Sequence, residues 1–327
     1  MSTPLNIGKA TRQAFGEALA KLGESHPEIV VLDADLAKST KSEIFAKKFP
    51  DRFFEMGIQE ANMIGAAAGL SFMGKLPFLC SFGAFITGRY DTIRLSVAYA
   101  QANVRLVGTH AGVGIGDDGH SQMGLEDISL MRALPLMGVF QPMDARETEL
   151  VMDYLVTEWK GPAYLRLTRQ SLPDLYPVGA IFKPGKLMQL RIASNPSSAV
   201  GKNPVTLIGT GAGTAEAYKA AEILESHGIP AAVWNAHSLK PFDDETTLNI
   251  AQNSRLLITV EDHSVIGGLG SCVAEALARK GGQPPLLKLG VQDQFGESGE
   301  ADELFEKHGI SAAQVAARVR RVLAELK

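Results

Sequence analysis

The stretch Gln59-Glu60-Ala61-Asn62-Met63-Ile64-Gly65-Ala66-Ala67-Ala68-Gly69-Leu70-Ser71-Phe72-Met73-Gly74-Lys75-Leu76-Pro77-Phe78-Leu79-Cys80 decides the fold. From 64 to 88 the chain carries a single charge, at Lys75, and length alone would let it span a bilayer. Lys75 and Pro77 cut it in two. We read a buried helix over 59–72 followed by a buried strand over 76–80, and no membrane span is expected.

Short β-rich runs alternate with helical patterns on either side. Strands are expected at 29–32, 53–56, 76–80, 104–107, 138–140 and 163–167, with helices at 9–22, 59–72, 89–100, 125–133 and 145–159. Repeated strand-then-helix predicts a parallel sheet covered on both faces, with ligands at the carboxyl ends of its strands. Between 173 and 204 the pattern breaks into a Pro-, Gly- and Ser-rich stretch, in which 186–192 reads as one extra strand. A second series follows, with strands at 205–209, 231–234, 256–260 and 286–289 and helices at 214–227, 243–252, 268–280, 301–307 and 312–326. The expected fold class is α/β: two αβα domains with mostly parallel sheets, at 1–175 and 204–327, joined by a linker at 176–203.

Composition narrows the function. A chain of 327 residues that is 45% apolar and 21% charged has ordinary globular make-up, which excludes a disordered or collagen-like chain. Thirty-two Lys and Arg stand against 36 Asp and Glu, with no long basic run, so no nucleic-acid partner is expected. Cys80 and Cys272 lie far apart with no CxxC or Cys/His cluster, which indicates neither a disulfide framework nor a structural zinc site. That usage fits a reducing, cytoplasmic setting. The start, Met1-Ser2-Thr3-Pro4-Leu5-Asn6, lacks the basic and apolar regions of a signal peptide, so secretion is not expected.

Chemistry concentrates in a few places. The segment from Thr109 to Gly124 directly follows a strand and holds five glycines, two acids (Asp117, Asp118) and two histidines (His110, His120). A loop this long inside a compact αβ domain is usually functional, and the bland alternative is a glycine-rich surface loop. Its acids beside histidine lack the flanking ligands of a metal site, and none is expected here. A second cluster, Gly209-Thr210-Gly211-Ala212-Gly213-Thr214, stands where a dinucleotide fingerprint would be. It has Thr at the sixth position and no acid after the next strand, so it reads as a tight strand-to-helix turn. A third, Gly267-Gly268-Leu269-Gly270, follows Glu261-Asp262-His263 and opens a helix, which fits either close backbone approach or an anion at the helix start. A lone histidine such as His263 is more often structural than catalytic. Glu60 opens a helix of small and apolar residues. It is either a first-turn acid complementing the helix dipole or a carboxyl held in an apolar setting to share a proton with a ligand base.

Taken together, these residues resemble the thiamin diphosphate enzymes of the transketolase family, specifically their pyrimidine-binding and C-terminal domains. The carriers are Ala10-Thr11-Arg12, Ala34-Asp35-Leu36 with Ser39, Gly57-Ile58-Gln59-Glu60, Ser81-Phe82 with Phe85, the 110–119 loop, Glu126-Asp127 and Thr168-Arg169-Gln170-Ser171-Leu172-Pro173. Further on come Ser238-Leu239-Lys240-Pro241, Val260-Glu261-Asp262-His263 and Phe295-Gly296-Glu297-Ser298-Gly299. By this resemblance Glu60 matches the acid that hydrogen-bonds the aminopyrimidine ring of thiamin diphosphate and sets its tautomer. Phe85 matches the ring stacked on that pyrimidine, with Phe82 beside it, and Asp35 and Ile58 match positions near the cofactor. Arg12, Ser39, His110 and Arg169 match a cradle for the terminal phosphate of a sugar phosphate. Asp118 matches the acid that hydrogen-bonds the hydroxyl next to the reacting carbon. The resemblance thus assigns Glu60, Asp118 and His110 to catalysis.

Two departures matter. Where the family usually has histidine, in Gly-x-Thr-His-Gln, this chain reads Gly119-His120-Ser121-Gln122-Met123. Either His120 substitutes from a neighbouring position, or the enzyme uses an unusual ketose, for example one with a modified or sulfonated tail. The family's Gly-Asp-Gly motif and following asparagine, which bind the cofactor diphosphate and a divalent metal, are absent from this sequence. The resemblance therefore implies a split transketolase: Mg2+ or another divalent metal held by an N-terminal, diphosphate-binding partner subunit, the site between subunits, and two copies of each chain. The implied activity is transfer of a two-carbon ketol unit between a ketose phosphate and an aldose phosphate. The alternatives are the beta subunit of a thiamin-dependent 2-oxo acid dehydrogenase, for which the phosphate cradle has no evident use, and a non-catalytic binding or regulatory module.

Overall fold

A computed structural model describes residues 5–194 and 203–326, so the part of the expected linker at 195–202 lies outside the described residues. In chain order the strands are β1 (Ile7–Ala10), β2 (Ile29–Asp33), β3 (Phe53–Glu55), β4 (Leu76–Phe82), β5 (Arg105–Thr109), β6 (Gly138–Phe140) and β7 (Ala163–Arg166). Then come β8 (Ser171–Pro173), β9 (Met188–Arg191), β10 (Val205–Thr210), β11 (Ala231–Asn235), β12 (Ser238–Lys240), β13 (Leu256–Ser264) and β14 (Leu286–Val291). The fold is α/β with two mostly parallel sheets.

The larger sheet has the order β12-β6-β7-β5-β4-β2-β3, parallel except where β12 runs antiparallel to β6. Every residue of β2, β4 and β5 is buried, as strands covered on both faces require. One face packs Phe15 and Leu19 of helix Thr11–Ser25 with Val151, Met152 and Leu155 of helix Ala145–Thr157, which starts where the Asp144 carboxylate accepts from the Glu147 N–H. The other face packs Met63, Ile64 and Ala67 of helix Glu60–Phe72 with Ile128 and Met131 of helix Asp127–Ala133. The second sheet has the order β14-β13-β10-β11-β9, parallel except for β9.

The stretch at 64–88 resolves into helix Glu60–Phe72, a turn with Gly74 at φ 80°, β4 and the short helix Gly83–Thr87. Among the described residues no helix is long and apolar enough to cross a membrane. Several local expectations need correction. The helix expected from residue 9 starts at Thr11, because Ile7–Ala10 pairs as β1 with β8 more than 160 residues away, a partner that no local pattern announces. The 89–100 helix is a short α turn, Tyr90–Thr92, continued by a π-helical run, Ile93–Tyr99. The extra strand inside the expected linker is β9, and it belongs to the second sheet through β11. In return β12, from the second half of the chain, completes the edge of the first sheet. The core also crosses: Ile128 and Met131 share a cluster with Leu239, Leu269 and Cys272.

Candidate functional site

The carboxyl ends of β2, β3, β4, β5 and β7 gather most of the residues singled out in the sequence, as an open parallel sheet requires. After β3, the chain turns through Gly57 at φ 68° and enters the helix at Glu60, whose side chain is buried. Glu60 lies in a cavity of about 290 Å³ lined by Ile58, Ala84, Phe85, Gly88 and Arg89. Ile58 is 75% exposed at its rim. A buried carboxylate beside a half-buried aromatic ring is what a flat nitrogen heterocycle needs: the ring for stacking and the acid for one ring nitrogen. These residues fit an aminopyrimidine.

Phe85 begins a ladder of rings. It stacks on Phe82 at 5.4 Å between centroids and 17°, and Phe82 stacks in turn on the His110 imidazole at 3.9 Å and 25°. His110 follows β5 with φ 57°, a left-handed conformation that costs a non-glycine residue energy and here aims the imidazole across the strand ends. Its Nε2 is 3.0 Å from Arg12 Nη1, and a guanidinium can only donate. The proton therefore sits on Nδ1, 2.9 Å from Thr109 Oγ1. Burial, then Arg12, Arg169 and Lys41, push His110 down to about 3, so the ring is neutral near pH 7.

The structure brings Arg12, Ser39, His110 and Arg169 together. Arg12 Nη1 donates to the Ser39 carbonyl at 2.8 Å, so the Ser39 backbone helps hold the guanidinium. Arg169 donates from Nη1 to the Ile115 carbonyl. Burial and the neighbouring Arg169 both lower the Arg12 pKa, and among the described residues its buried Nε has no partner. Two guanidiniums this close, one partly unsatisfied, favour an incoming anion. Lys41, which the sequence reading passed over, adds a third cation close enough to act on His110. Its φ of 69° at the end of helix Ala37–Thr40 is a tertiary feature without a sequence signal.

Other expected residues are placed differently. Asp35 is exposed, and its N–H donates to Glu55 Oε1 at 2.8 Å, the same oxygen that accepts from Gly57 N–H at 3.1 Å. Glu55 thus shapes the turn toward Glu60; its charge at a strand end was the available signal. Buried Asp33 organises the β2 end through Leu36 N–H, Thr40 and Ser42, with its pKa pushed by burial up to about 6. Asp118 is exposed and Gln122 half-buried, and neither side chain bonds another described residue. His120 does not join the cradle contacts. Its Nδ1 accepts from the Gly296 N–H at 3.0 Å, and its ring meets Phe295 edge-on at 4.6 Å.

The other glycine clusters are structural. At 209–214 the chain turns between β10 and helix Ala212–Ser226, where a Cβ on Gly211 would lie 2.1 Å from Gln141 and one on Gly209 2.3 Å from Thr214 Cα. At the third cluster the acceptor on helix Leu269–Leu277 is the chain's own Glu261, its pKa pushed up by burial to about 7, which accepts from Leu269 N–H at 2.6 Å and Gly270 N–H at 2.8 Å. His263 is wholly buried, near Asp127 and Glu261, with its pKa lowered by burial to about 4. Among the described residues no group of three or more His, Cys, Asp or Glu side chains is arranged to hold a metal ion.

Comparison with known proteins gives the family. Residues 8–174 match the family description "Transketolase, pyrimidine binding domain" and 199–315 match "Transketolase, C-terminal domain". A putative transketolase C-terminal section of Methanocaldococcus jannaschii is 42% identical over 98% of both chains. A 6-deoxy-6-sulfo-D-fructose transketolase subunit of a Clostridium species is 39% identical over 93% of this chain and 91% of that one. A solved structure described as a split gene transketolase, inactive beta4 tetramer, superposes with a TM-score of 0.86 at 44% identity, covering 97% of this chain and 99% of that one. With family matches over both halves and full-length relatives above 40% identity, this chain belongs to the transketolase family and carries that family's pyrimidine-binding and C-terminal domains.

Proposed function

We propose that this chain is the C-terminal subunit of a split transketolase, moving a two-carbon ketol unit from a ketose phosphate to an aldose phosphate with thiamin diphosphate. The observation that carries the reading is the continuous ring ladder Phe85-Phe82-His110, which joins the Glu60 cavity to the Arg12 and Arg169 cations. On this reading one end of the stack takes a heterocycle and the other an anion. When bound, thiamin diphosphate supplies the carbon nucleophile and the electron sink for cleaving the ketose between C2 and C3. Glu60 holds a proton at the aminopyrimidine ring nitrogen and Phe85 stacks on that ring, while Ile58 and Asp35 border it. Arg12 and Arg169 bind the phosphate dianion, and neutral His110, oriented by Thr109, accepts from Arg12 and holds that guanidinium at the phosphate. Asp118 takes the hydroxyl next to the reacting carbon. In this reading residues 1–175 build the site and 204–327 support it.

We assign the diphosphate and its Mg2+ to a partner subunit, with two copies of each chain. The outer face of helix Glu60–Phe72 supports a partner there. Ala61, Gly65 and Gly69 leave it smooth, and exposed Phe72, Met73, Leu95 and Tyr99 extend it as an apolar surface of the kind that marks protein interfaces. The related structure is described as an inactive β4 tetramer, in keeping with a chain that needs another subunit. Two buried, free cysteines accord with a cytoplasmic setting. Gln122 favours a second reading of the donor, a ketose with a sulfonated tail, in line with what the Clostridium relative is named for.

Native mass spectrometry of the tagged chain from its own host tests the assembly. A co-purifying subunit with thiamin diphosphate and a divalent metal supports the reading. That complex is then assayed with ketose phosphates, a sulfonated ketose and 2-oxo acids. Emergence of the chain alone and without cofactor, or turnover of 2-oxo acids only, overturns it.

A further inference from the structure

We propose that Asp262, in the second domain, is a positioning residue for the 110–124 loop of the first, so that the C-terminal domain sets the substrate loop. The inference rests on the reading of that loop as substrate-binding. The loop is closed at its base by the Gly112 N–H donating to the Gly124 carbonyl at 3.0 Å, and its early part is a single 3-10 turn, Val113–Ile115, which packs on Leu304 and Phe305 of helix Ala301–Lys307 and whose first N–H groups have no partner within the turn. Backbone N–H groups buried without partners are costly. The next two, on Val113 and Gly114, reach 2.7 and 3.2 Å from the two carboxylate oxygens of Asp262.

That carboxylate bonds nothing in its own domain among the described residues; its partners are these two amides. The backbone of Asp262 is held separately, by Arg166 Nη2 on its carbonyl at 2.9 Å. The side chain is wholly buried, and burial pushes its pKa up to about 6, so it is kept at a cost that its own domain does not explain. The fit is close on the other side as well. A Cβ on Gly112, which has φ 90°, would come within 2.1 Å of Asp262 Oδ2.

The loop thus hangs between two domains. Arg169 from the first domain holds the Ile115 carbonyl, Gly296 from the second holds His120, and a Cβ on Gly119 would meet Ser298 at 2.5 Å. Asp262 fixes the segment between His110, at the cradle, and Asp118, at the exposed tip. A shift there moves both ends of the substrate contact together, and such misplacement is expensive in rate even far from the chemistry.

The test uses Asp262→Ala and Asp262→Asn. Asparagine keeps one acceptor oxygen for Val113 but turns its NH2 toward another donor at Gly114. Amide hydrogen exchange of the chain by itself reads the loop without requiring activity. At Val113 and Gly114 exchange is expected to rise about tenfold or more in Asp262→Ala and less in Asp262→Asn, with strands β10 and β13 unchanged. In the complex with its partner subunit, KM for the ketose phosphate rises about tenfold in Asp262→Ala with a smaller change in kcat, and Asp262→Asn is intermediate. Unchanged exchange at Val113 and Gly114, or exchange rising equally through the second domain, overturns the proposal. If the wild-type complex turns over no sugar phosphate, the functional reading fails while the exchange result still decides whether Asp262 holds the loop. Should Asp262→Ala fail to fold, Asp262→Asn decides by the same two measures.

Discussion

Replacing Arg166 with methionine should be among the most damaging single changes to this chain. Arg166 Nε lies 2.8 Å from Asp127 Oδ2 with both side chains fully buried, and Nη2 holds the carbonyls of Gly124 at 2.8 Å and Asp262 at 2.9 Å. Burial pushes Asp127 up, but Arg166 and then His263 outweigh it, and its pKa ends below the ordinary value. Methionine would leave Asp127 charged, with the Tyr164 hydroxyl at 2.6 Å as its remaining donor. Breaking a buried pair from one side costs about 3–5 kcal/mol. The two freed carbonyls add about 1–3 kcal/mol each, less whatever relaxation recovers. A loss of roughly 5–8 kcal/mol is comparable with the stability of a whole domain. At about 2–4 °C per kcal/mol, the melting temperature falls by ten degrees or more.

The assay is equilibrium unfolding in urea and by heat. A single transition is expected because Ile128 and Met131 share one core with Leu239, Leu269 and Cys272 across the two domains. The double variant Arg166→Met, Asp127→Leu should regain the charge penalty, about 3–5 kcal/mol, and leave the carbonyl losses. The deficit of the single variant should also shrink as pH falls from 7 toward 4, since an unpaired buried carboxylate takes up a proton. A loss under about 1 kcal/mol, or a double variant no more stable than the single one, would refute the account of this network.

Glu60→Gln should lower turnover of the assembled enzyme by about a hundredfold or more with little change in melting temperature; unchanged turnover removes Glu60 from the chemistry. Arg169→Ala should mainly raise KM for phosphorylated substrates, because it removes binding common to ground and transition states. An equal loss on a non-phosphorylated ketose counts against the anion cradle. His110 has its folded pKa lowered to about 3 from the ordinary 6.5, so the stability it contributes is present above pH 6.5 and is lost as pH falls toward 3. His110→Gln should flatten the stability profile between pH 6.5 and 4 by up to about 1.4 kcal/mol per pH unit. Identical slopes for the two proteins would mean that the imidazole is not held neutral.

Much of this was legible in the residues. The apolar run ending at Phe72, the break at Gly74-Lys75 and the run through β4 dictate a buried helix and a buried strand, and the structure has both. Glu60 drew notice as a carboxylate at the head of an apolar helix, and the loop after β5 by its glycines and histidines. What stayed hidden was contact across the chain. Ser39 offers its carbonyl to Arg12, His120 turns to Gly296 and Phe295, and Lys41 stands near His110. None of these follows from the spacing of the residues involved.

By itself the sequence determined the alternation of strands and helices, the two-domain α/β class, the residue types at the strand ends and the family to which they belong. These depend on periodicities of two and 3.6 residues and on turn chemistry, which act over a few positions at a time. Only the tertiary structure decided that β12 crosses into the first sheet, that β9 joins the second, and that Asp262 reaches back to Val113 and Gly114. Those contacts join residues about 40 to 150 positions apart, and they form because buried backbone amides, carboxylates and guanidiniums must each find a partner somewhere in the packed interior.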